Sequence, residues 1–304
     1  MKMENTKEKN FPKHRILSAG KFTETYVEGC RNGQRFCFIL GSGASVESGI
    51  PMGGTLEYRW MNCLMGEESD RGTEPMDQSE TKNTAESFGG ELQHDFDTIV
   101  REWKAAKKQG KTTLPSKYYF DIYKLRFYPD ETNGDRYLEN LMESAQPSFG
   151  YHTLAQLLTD GNNNNMIITT NFDTLVEDAL FLYTGKKPLI INHEFEADFI
   201  RDPSIKRPII AKLHRGLFFK PLNNPDDTTG LRGEWAEILR EIFKIYTPIV
   251  IGYGGGDQSL MKFLLKEGEN IPKMYWCYVN EYGLPDERIQ QFIKNFISNF
   301  RLSA

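Results

Sequence analysis

At 304 residues the chain can bury one large core or two smaller ones, and 26% charged with 12% aromatic residues is ordinary for a globular protein. A formal net charge of −5 gives no global case for nucleic-acid binding, so no direct contact with nucleic acid is expected. No apolar stretch approaches membrane-spanning length, and the polar segment Met1–Arg15 lacks the apolar core of a secretory signal, so no membrane partner is expected and the cytoplasm is the expected compartment.

The first informative element is the apolar run Phe36-Cys37-Phe38-Ile39-Leu40, which is short, stopped by glycine and reads as a buried strand. It continues as Gly41-Ser42-Gly43-Ala44-Ser45 and then Ser48-Gly49-Ile50-Pro51. Glycines just past such a strand let backbone approach a ligand closely, and small residues opening a helix offer unpaired N–H groups to a pyrophosphate. The dinucleotide pattern G-x-G-x-x-G fails at its third glycine, where Val46 stands, so a plain strand–turn–helix corner is the alternative. Thr55–Met65 is predicted as a helix, and Gly66–Gly90, rich in small and polar residues, as a long loop. Leu92, Phe96, Ile99, Val100 and Trp103 recur at helical spacing, which makes Glu91–Gln109 an amphipathic helix. Further helical patterns cover Tyr118–Phe127, Arg136–Ala145 and Tyr151–Leu158. No strand is read in this stretch, so residues 55–150 are taken as an inserted helical domain, with 1–54 and 151–304 forming the main domain.

The second half alternates. Met166–Thr169, Leu189–Ile191, Pro208–Leu213, Pro248–Ile251 and Met274–Val279 read as strands; Thr174–Leu182, Glu234–Ile245, Ser259–Lys266 and Leu284–Ser298 read as helices. The expected fold is α/β, a Rossmann-like, mostly parallel sheet with helices on both faces. Ligands of such sheets bind at the carboxyl ends of the strands. Cys30, Cys37, Cys63 and Cys277 form no C-x-x-C pair, so neither a zinc module, nor any other metal site, nor a disulfide framework is expected.

Polar residues gather just after the predicted strands: Thr169-Thr170-Asn171-Phe172-Asp173, Lys212-Leu213-His214-Arg215-Gly216, Gly252-Tyr253-Gly254-Gly255-Gly256-Asp257 and Val279-Asn280-Glu281. With the Gly41 segment, five strand ends face one crevice. Each has a plainer reading. Asn171 or Asp173 can serve only as a helix N-cap, His214 as a histidine satisfied by backbone, and Gly254–Gly256 as a turn before Ser259.

Taken together these segments resemble sirtuins. GSGASVESGIP is similar to the sirtuin signature GAGxSxxSGIP, TTNFD to TQNID, and KLHRG to the catalytic His-Gly segment, while IGYGGGD and the strand-end Val-Asn occupy the places of adenosine contacts. Three departures stand out. The two zinc-binding C-x-x-C pairs are missing. Met52-Gly53-Gly54 replaces the family's Asp-Phe-Arg, with Arg59 the nearest arginine, and Arg215 separates His214 from Gly216. The helical insertion, TTNFD and the lack of zinc ligands resemble the sirtuin-like NAD-hydrolase effectors of prokaryotic antiviral defence. The resemblance implies NAD as the substrate, cleaved to nicotinamide and ADP-ribose, with no cofactor besides. By resemblance, Asn171, His214 and Asp173 would be catalytic. Gly41, Ser42, Gly43, Ala44, Ser45, Ile50, Pro51, Thr170, Gly252, Tyr253, Gly254 and Asn280 would contact NAD. It further implies gated activity, a homo-oligomer and a defence-system partner such as a HerA-type hexameric ATPase. The alternatives are a zinc-free protein deacylase or ADP-ribosyltransferase, or a non-catalytic module that binds NAD or ADP-ribose.

Overall fold

The computed structural model describes residues 16–67, 75–114, 118–161, 164–201, 205–214, 231, 235–256, 258–279, 285, 287–295 and 300–303. They divide into two compact units, one drawn from Met1–Ser48, Gln146–Leu222 and Asp226–Ala304, the other essentially Gly49–Ala145.

The first unit is α/β. Its strands are β1 (Ile16–Leu17), β2 (Arg35–Leu40), β3 (Met166–Thr169), β4 (Leu189–Ile191), β5 (Ile209–Lys212), β6 (Tyr246–Ile251), β7 (Met274–Cys277) and β8 (Phe300–Ser303). They form one sheet in the order β1-β8-β7-β6-β2-β3-β5-β4, and every pairing is parallel. From β2 the chain moves outward to β3 and on to the edge strand β4, fills in β5 between them, then returns to β6 on the other side of β2. The reversal of direction therefore lies between β2 and β6, and it opens a crevice at their carboxyl ends.

A parallel sheet covered on both faces needs strands that are apolar throughout. Phe36, Cys37, Phe38, Ile39 and Leu40 of β2 are accordingly all buried, as are all four residues of β3. The helices of this unit are α1 (Ala19–Arg31), α7 (Phe149–Leu157), α8 (Leu175–Thr184), α9 (Trp235–Ile245), α10 (Gln258–Glu267) and α11 (Glu287–Asn295). In α9 the buried residues Trp235, Ile238, Leu239, Ile242 and Phe243 recur at the spacing of one helix face, and they join Cys37, Ile168, Ala211 and Val250 of the sheet in the core.

Helix α1 and the asparagines before β3, like strands β1 and β8, escaped the apolar pattern. Helix α1 begins at Ser18, whose hydroxyl accepts the Lys21 amide at 3.2 Å. Of the four asparagines before β3, Asn164 and Asn165 are buried cross-links. Asn164 Oδ1 accepts the Phe36 amide at 2.8 Å and its Nδ2 donates to Tyr26 at 3.0 Å. Asn165 Nδ2 donates to the Arg207 carbonyl at 3.2 Å, and its Oδ1 accepts from the Tyr246 hydroxyl at 3.2 Å.

In the second unit the described elements are the helices α2 (Gly53–Leu64), α3 (Gln78–Ser87), α4 (Gly90–Lys108), α5 (Tyr119–Phe127) and α6 (Thr132–Glu143). Its centre is Trp60, fully buried, with the rings of Tyr119, Tyr123 and Phe127 at 5.2, 5.6 and 5.6 Å. Helix α3 corrects the expectation of a continuous loop over Gly66–Gly90. Asp77 caps it by accepting the Ser79 and Glu80 amides at 2.6 and 3.1 Å. Its inner face is made by Thr81, Thr84 and Ala85, with both threonine hydroxyls turned back to carbonyls four residues earlier, at 2.9 and 2.8 Å. A helix that buries threonine methyls rather than leucines carries almost no apolar periodicity.

No described helix is long and apolar enough to cross a membrane. Cys37 is buried in β2 and Cys277 ends β7 partly buried; burial pushes the Cys277 thiol up to about 12.

Candidate active site

Four strand ends are tied into a ring by hydrogen bonds and by the chain that runs from β6 into α10. The first link joins β2 to β3. Asn171 Nδ2 donates to the Gly41 carbonyl and to Ser45 Oγ, both at 3.1 Å, and Ser45 Oγ donates to Asp173 Oδ2 at 2.8 Å. The second joins β3 to β5, where Lys212 Nζ donates to the Asp173 carbonyl at 2.7 Å. The third joins β5 to the start of α10, where His214 Nε2 and Ser259 Oγ are 2.8 Å apart. The last joins β6 back to β2. The Gly41 amide donates to the Ile251 carbonyl at 3.1 Å and the Gly43 amide to the Gly252 carbonyl at 2.9 Å.

The strand register sets this up. Thr169 of β3 lies opposite Lys212 of β5, so Asn171 and His214 each stand two residues beyond paired positions on neighbouring strands. Neighbouring strands run about 4.8 Å apart. Thr169 also shapes the turn: its hydroxyl donates to the Leu40 carbonyl at 3.2 Å and accepts the Asn171 amide at 3.0 Å. The Thr170 amide donates to the Leu40 carbonyl at 3.3 Å.

Asn171 is oriented by its surroundings. A peptide carbonyl only accepts, so the amide nitrogen must face Gly41, and the direction of Oδ1 follows. Asp173 combines two duties. Its Oδ1 accepts the Leu175 amide at 3.2 Å at the start of α8, the helix-capping role, while Oδ2 holds Ser45. Burial pushes its carboxyl above the usual range, and the bonds from Ser45 and Leu175 with the charge of Lys212 pull the other way. Tyr151 of α7 lies 2.9 Å from Ser45 Oγ, and burial, with the Asp173 charge adding to it, pushes its hydroxyl far up.

The glycines do something other than what their spacing suggested. A Cβ on Gly41 would lie 2.5 Å from Tyr253 Cα, one on Gly43 2.8 Å from the Gly252 carbonyl, and one on Gly252 2.1 Å from the Ala44 nitrogen. Their close approach is of one loop to the other. The amides of Gly41, Gly43 and Ala44 already donate to the carbonyls of Ile251, Gly252 and Gly41. The helix expected to open here is a 3-10 helix over Ser42–Ser48. Ser42 is exposed and Gly254 is exposed with nothing within 4 Å of a would-be Cβ, so these two present the open backbone at the crevice. Tyr253 is buried.

Ile50, buried, and Pro51, half-buried, belong to the second unit, as does Arg59, which is exposed. Asn280, Arg215, Gly216 and Asp257 lie outside the described residues. Ser259 and Tyr151, which contact His214 and Ser45, drew no site reading from the sequence. Lys212 stood in the strand-end segment Lys212–Gly216, a charge at the end of an apolar run, but was given no role there. A separate cavity of about 300 Å3, lined by Arg240, Phe243, Lys244, Phe263, Glu267, Asn270 and Ile271, sits at the opposite, amino-terminal edge of β6 and β7. Among the described residues no group of histidine, cysteine and carboxylate side chains could hold a metal ion.

Residues 165–300, from the end of the asparagine tract to the start of β8, match the family model of the SIR2-like domain. The matched stretch carries Asn171, Asp173, His214 and the Gly252 loop, and leaves out β2 with its Gly41 segment. No curated protein matches the chain.

Proposed function

We propose that this chain, which carries a SIR2-like domain over residues 165–300, hydrolyses NAD between nicotinamide and ribose. A SIR2-like domain implies the use of NAD, and the resemblance to NAD-hydrolysing effectors narrows the reaction. The observation that carries the reading is the hydrogen-bonded ring joining the ends of β2, β3, β5 and β6, with Asn171 and His214 on adjacent strand ends.

In the proposed reaction the bond from ribose C1′ to the pyridinium nitrogen breaks, and its electron pair stays on nicotinamide, which leaves neutral. The sugar passes through an oxocarbenium-like state, as in other glycosyl transfers. The oxygen of water bonds to C1′ and its proton passes to His214 and then to solvent, giving nicotinamide, ADP-ribose and a proton. Asn171, with both amide hydrogens committed to Gly41 and Ser45, turns its oxygen to a ribose hydroxyl or the water. Asp173 holds Ser45 and, through it, Asn171. Ser42 and Gly254 supply the open backbone for the pyrophosphate and the adenosine side.

The test is nicotinamide release from NAD without any acylated peptide, measured on the purified protein over a range of concentrations. Asn171→Ala and His214→Ala are each expected to lower turnover about a hundredfold while the circular dichroism spectrum is unchanged. Full turnover in either removes the role assigned to that residue, and release only in the presence of acylated peptide replaces hydrolysis with deacylation. Ser259→Ala is expected to lower kcat about tenfold, because the hydroxyl 2.8 Å from Nε2 holds the imidazole ring in place. An unchanged kcat would leave Ser259 as packing alone. Uncontrolled NAD cleavage harms the cell that performs it. Gating by self-association or by a partner such as a HerA-type hexameric ATPase therefore belongs to the same proposal, as does a role in antiviral defence.

A further inference from the structure

The geometry points to Lys212 as a positioning residue that clamps the turn bearing Asn171 and Asp173 to the strand bearing His214. Strand β5 reads Ile209-Ile210-Ala211-Lys212, buried throughout, and the side chain of Lys212 is only 4% exposed. An ammonium has three hydrogens to place. Here Nζ meets Glu177 Oε1 at 2.8 Å, the Asp173 carbonyl at 2.7 Å and the Phe172 carbonyl at 3.5 Å.

The partners explain what the charge is for. Glu177 sits in the first turn of α8 with its side chain 12% exposed, so both charges are largely withdrawn from water. Burial pushes the Glu177 carboxyl up and Lys212 pulls it down, so attraction and desolvation oppose each other. Well-packed apolar residues could fill the same space at little cost to stability. They could not hold two consecutive carbonyls of the turn between β3 and α8, which lie outside the sheet ladder. Lys212 stands two residues before His214, and the carbonyls it holds follow Asn171 directly. The clamp thus sets the spacing between the amide and the imidazole through the backbone that carries them.

The activity arm of the test rests on the NAD-cleavage reading; the exchange arm does not. Three variants of the full chain are compared with the wild type: Lys212→Met, the double variant Lys212→Met with Glu177→Leu, and Glu177→Gln. Denaturant melts, hydrogen exchange of the Asn171 and Leu175 amides, and steady-state nicotinamide release are followed. The single methionine variant leaves a buried carboxylate without its partner and melts early, whereas the double variant recovers a melt close to wild type. In both, the two amides are expected to exchange about tenfold faster, and kcat to fall about thirtyfold with KM changed less than about threefold. Glu177→Gln keeps the lysine on its carbonyls and is expected to lose about threefold in kcat. A double variant with wild-type exchange and kcat overturns the clamp, and so does Glu177→Gln falling below Lys212→Met. If the wild type releases no nicotinamide, the NAD-cleavage reading fails while the two exchange rates still decide the clamp.

Discussion

Gly252→Ala is expected to cost about 3 to 5 kcal/mol of stability and to abolish nicotinamide release. Gly252 has φ +66°, a conformation in which a Cβ is strained in any surroundings, and that Cβ would stand 2.1 Å from the Ala44 nitrogen. The obstacle is backbone, so no rotamer change relieves it. The two loops would have to part, breaking the bond from the Gly43 amide to the Gly252 carbonyl and with it the β6-to-β2 link of the ring. Chemical denaturation and the turnover assay measure the two losses separately. Gly254→Ala is the contrast, two residues away with open space around its Cβ. It is expected to melt within about 0.5 kcal/mol of wild type while binding NAD more weakly. Equal stability of the two variants would show that the loops do not need their close contact.

The second large effect lies in the helical unit, where Glu57 of α2 is fully buried and, among the described residues, neither of its carboxyl oxygens has a hydrogen-bond partner. Burial raises its pKa from 4.5 to about 9. An acid with a raised pKa holds its proton in the folded state after the unfolded chain has lost it. Its contribution is therefore least unfavourable below pH 4.5, and stability declines as pH rises from there to about 9. At pH 7 the accumulated penalty is on the order of 3 kcal/mol. Glu57→Gln is expected to flatten the pH dependence of the melt between pH 5 and pH 8, and Glu57→Met to raise the midpoint at pH 8 more than at pH 5. Parallel pH profiles for wild type and Glu57→Met would mean that Glu57 is not the titrating group.

The contrast between these two sites shows what was legible before any coordinates. The glycines after β2 and β6 were visible as a signal of close approach, but what approaches them was not: the contacts join residues 41–44 to 252–253, more than two hundred positions apart. Glu57 gave no sign at all, since a glutamate in a predicted helix reads as surface. Its burial follows from the aromatic cluster around Trp60, assembled from α2 and α5. Helix α3 was hidden for a related reason, threonine methyls taking the place of leucines on its inner face.

By itself the sequence determined the strands at the heart of the sheet, the amphipathic helices such as α9, and the polar segments just past β2, β3, β5 and β6. These depend on local pattern: an apolar run stopped by glycine has few conformations open to it, and a 3.6-residue period has one. Only the tertiary structure decided that β6 returns beside β2, that Ser259 is the partner of His214, and that Lys212 reaches across to Asp173 and Glu177. Each of these bonds spans 35 or more positions of the chain, and a hydrogen bond between distant residues leaves no periodicity in either segment; it exists only once the sheet has set the register.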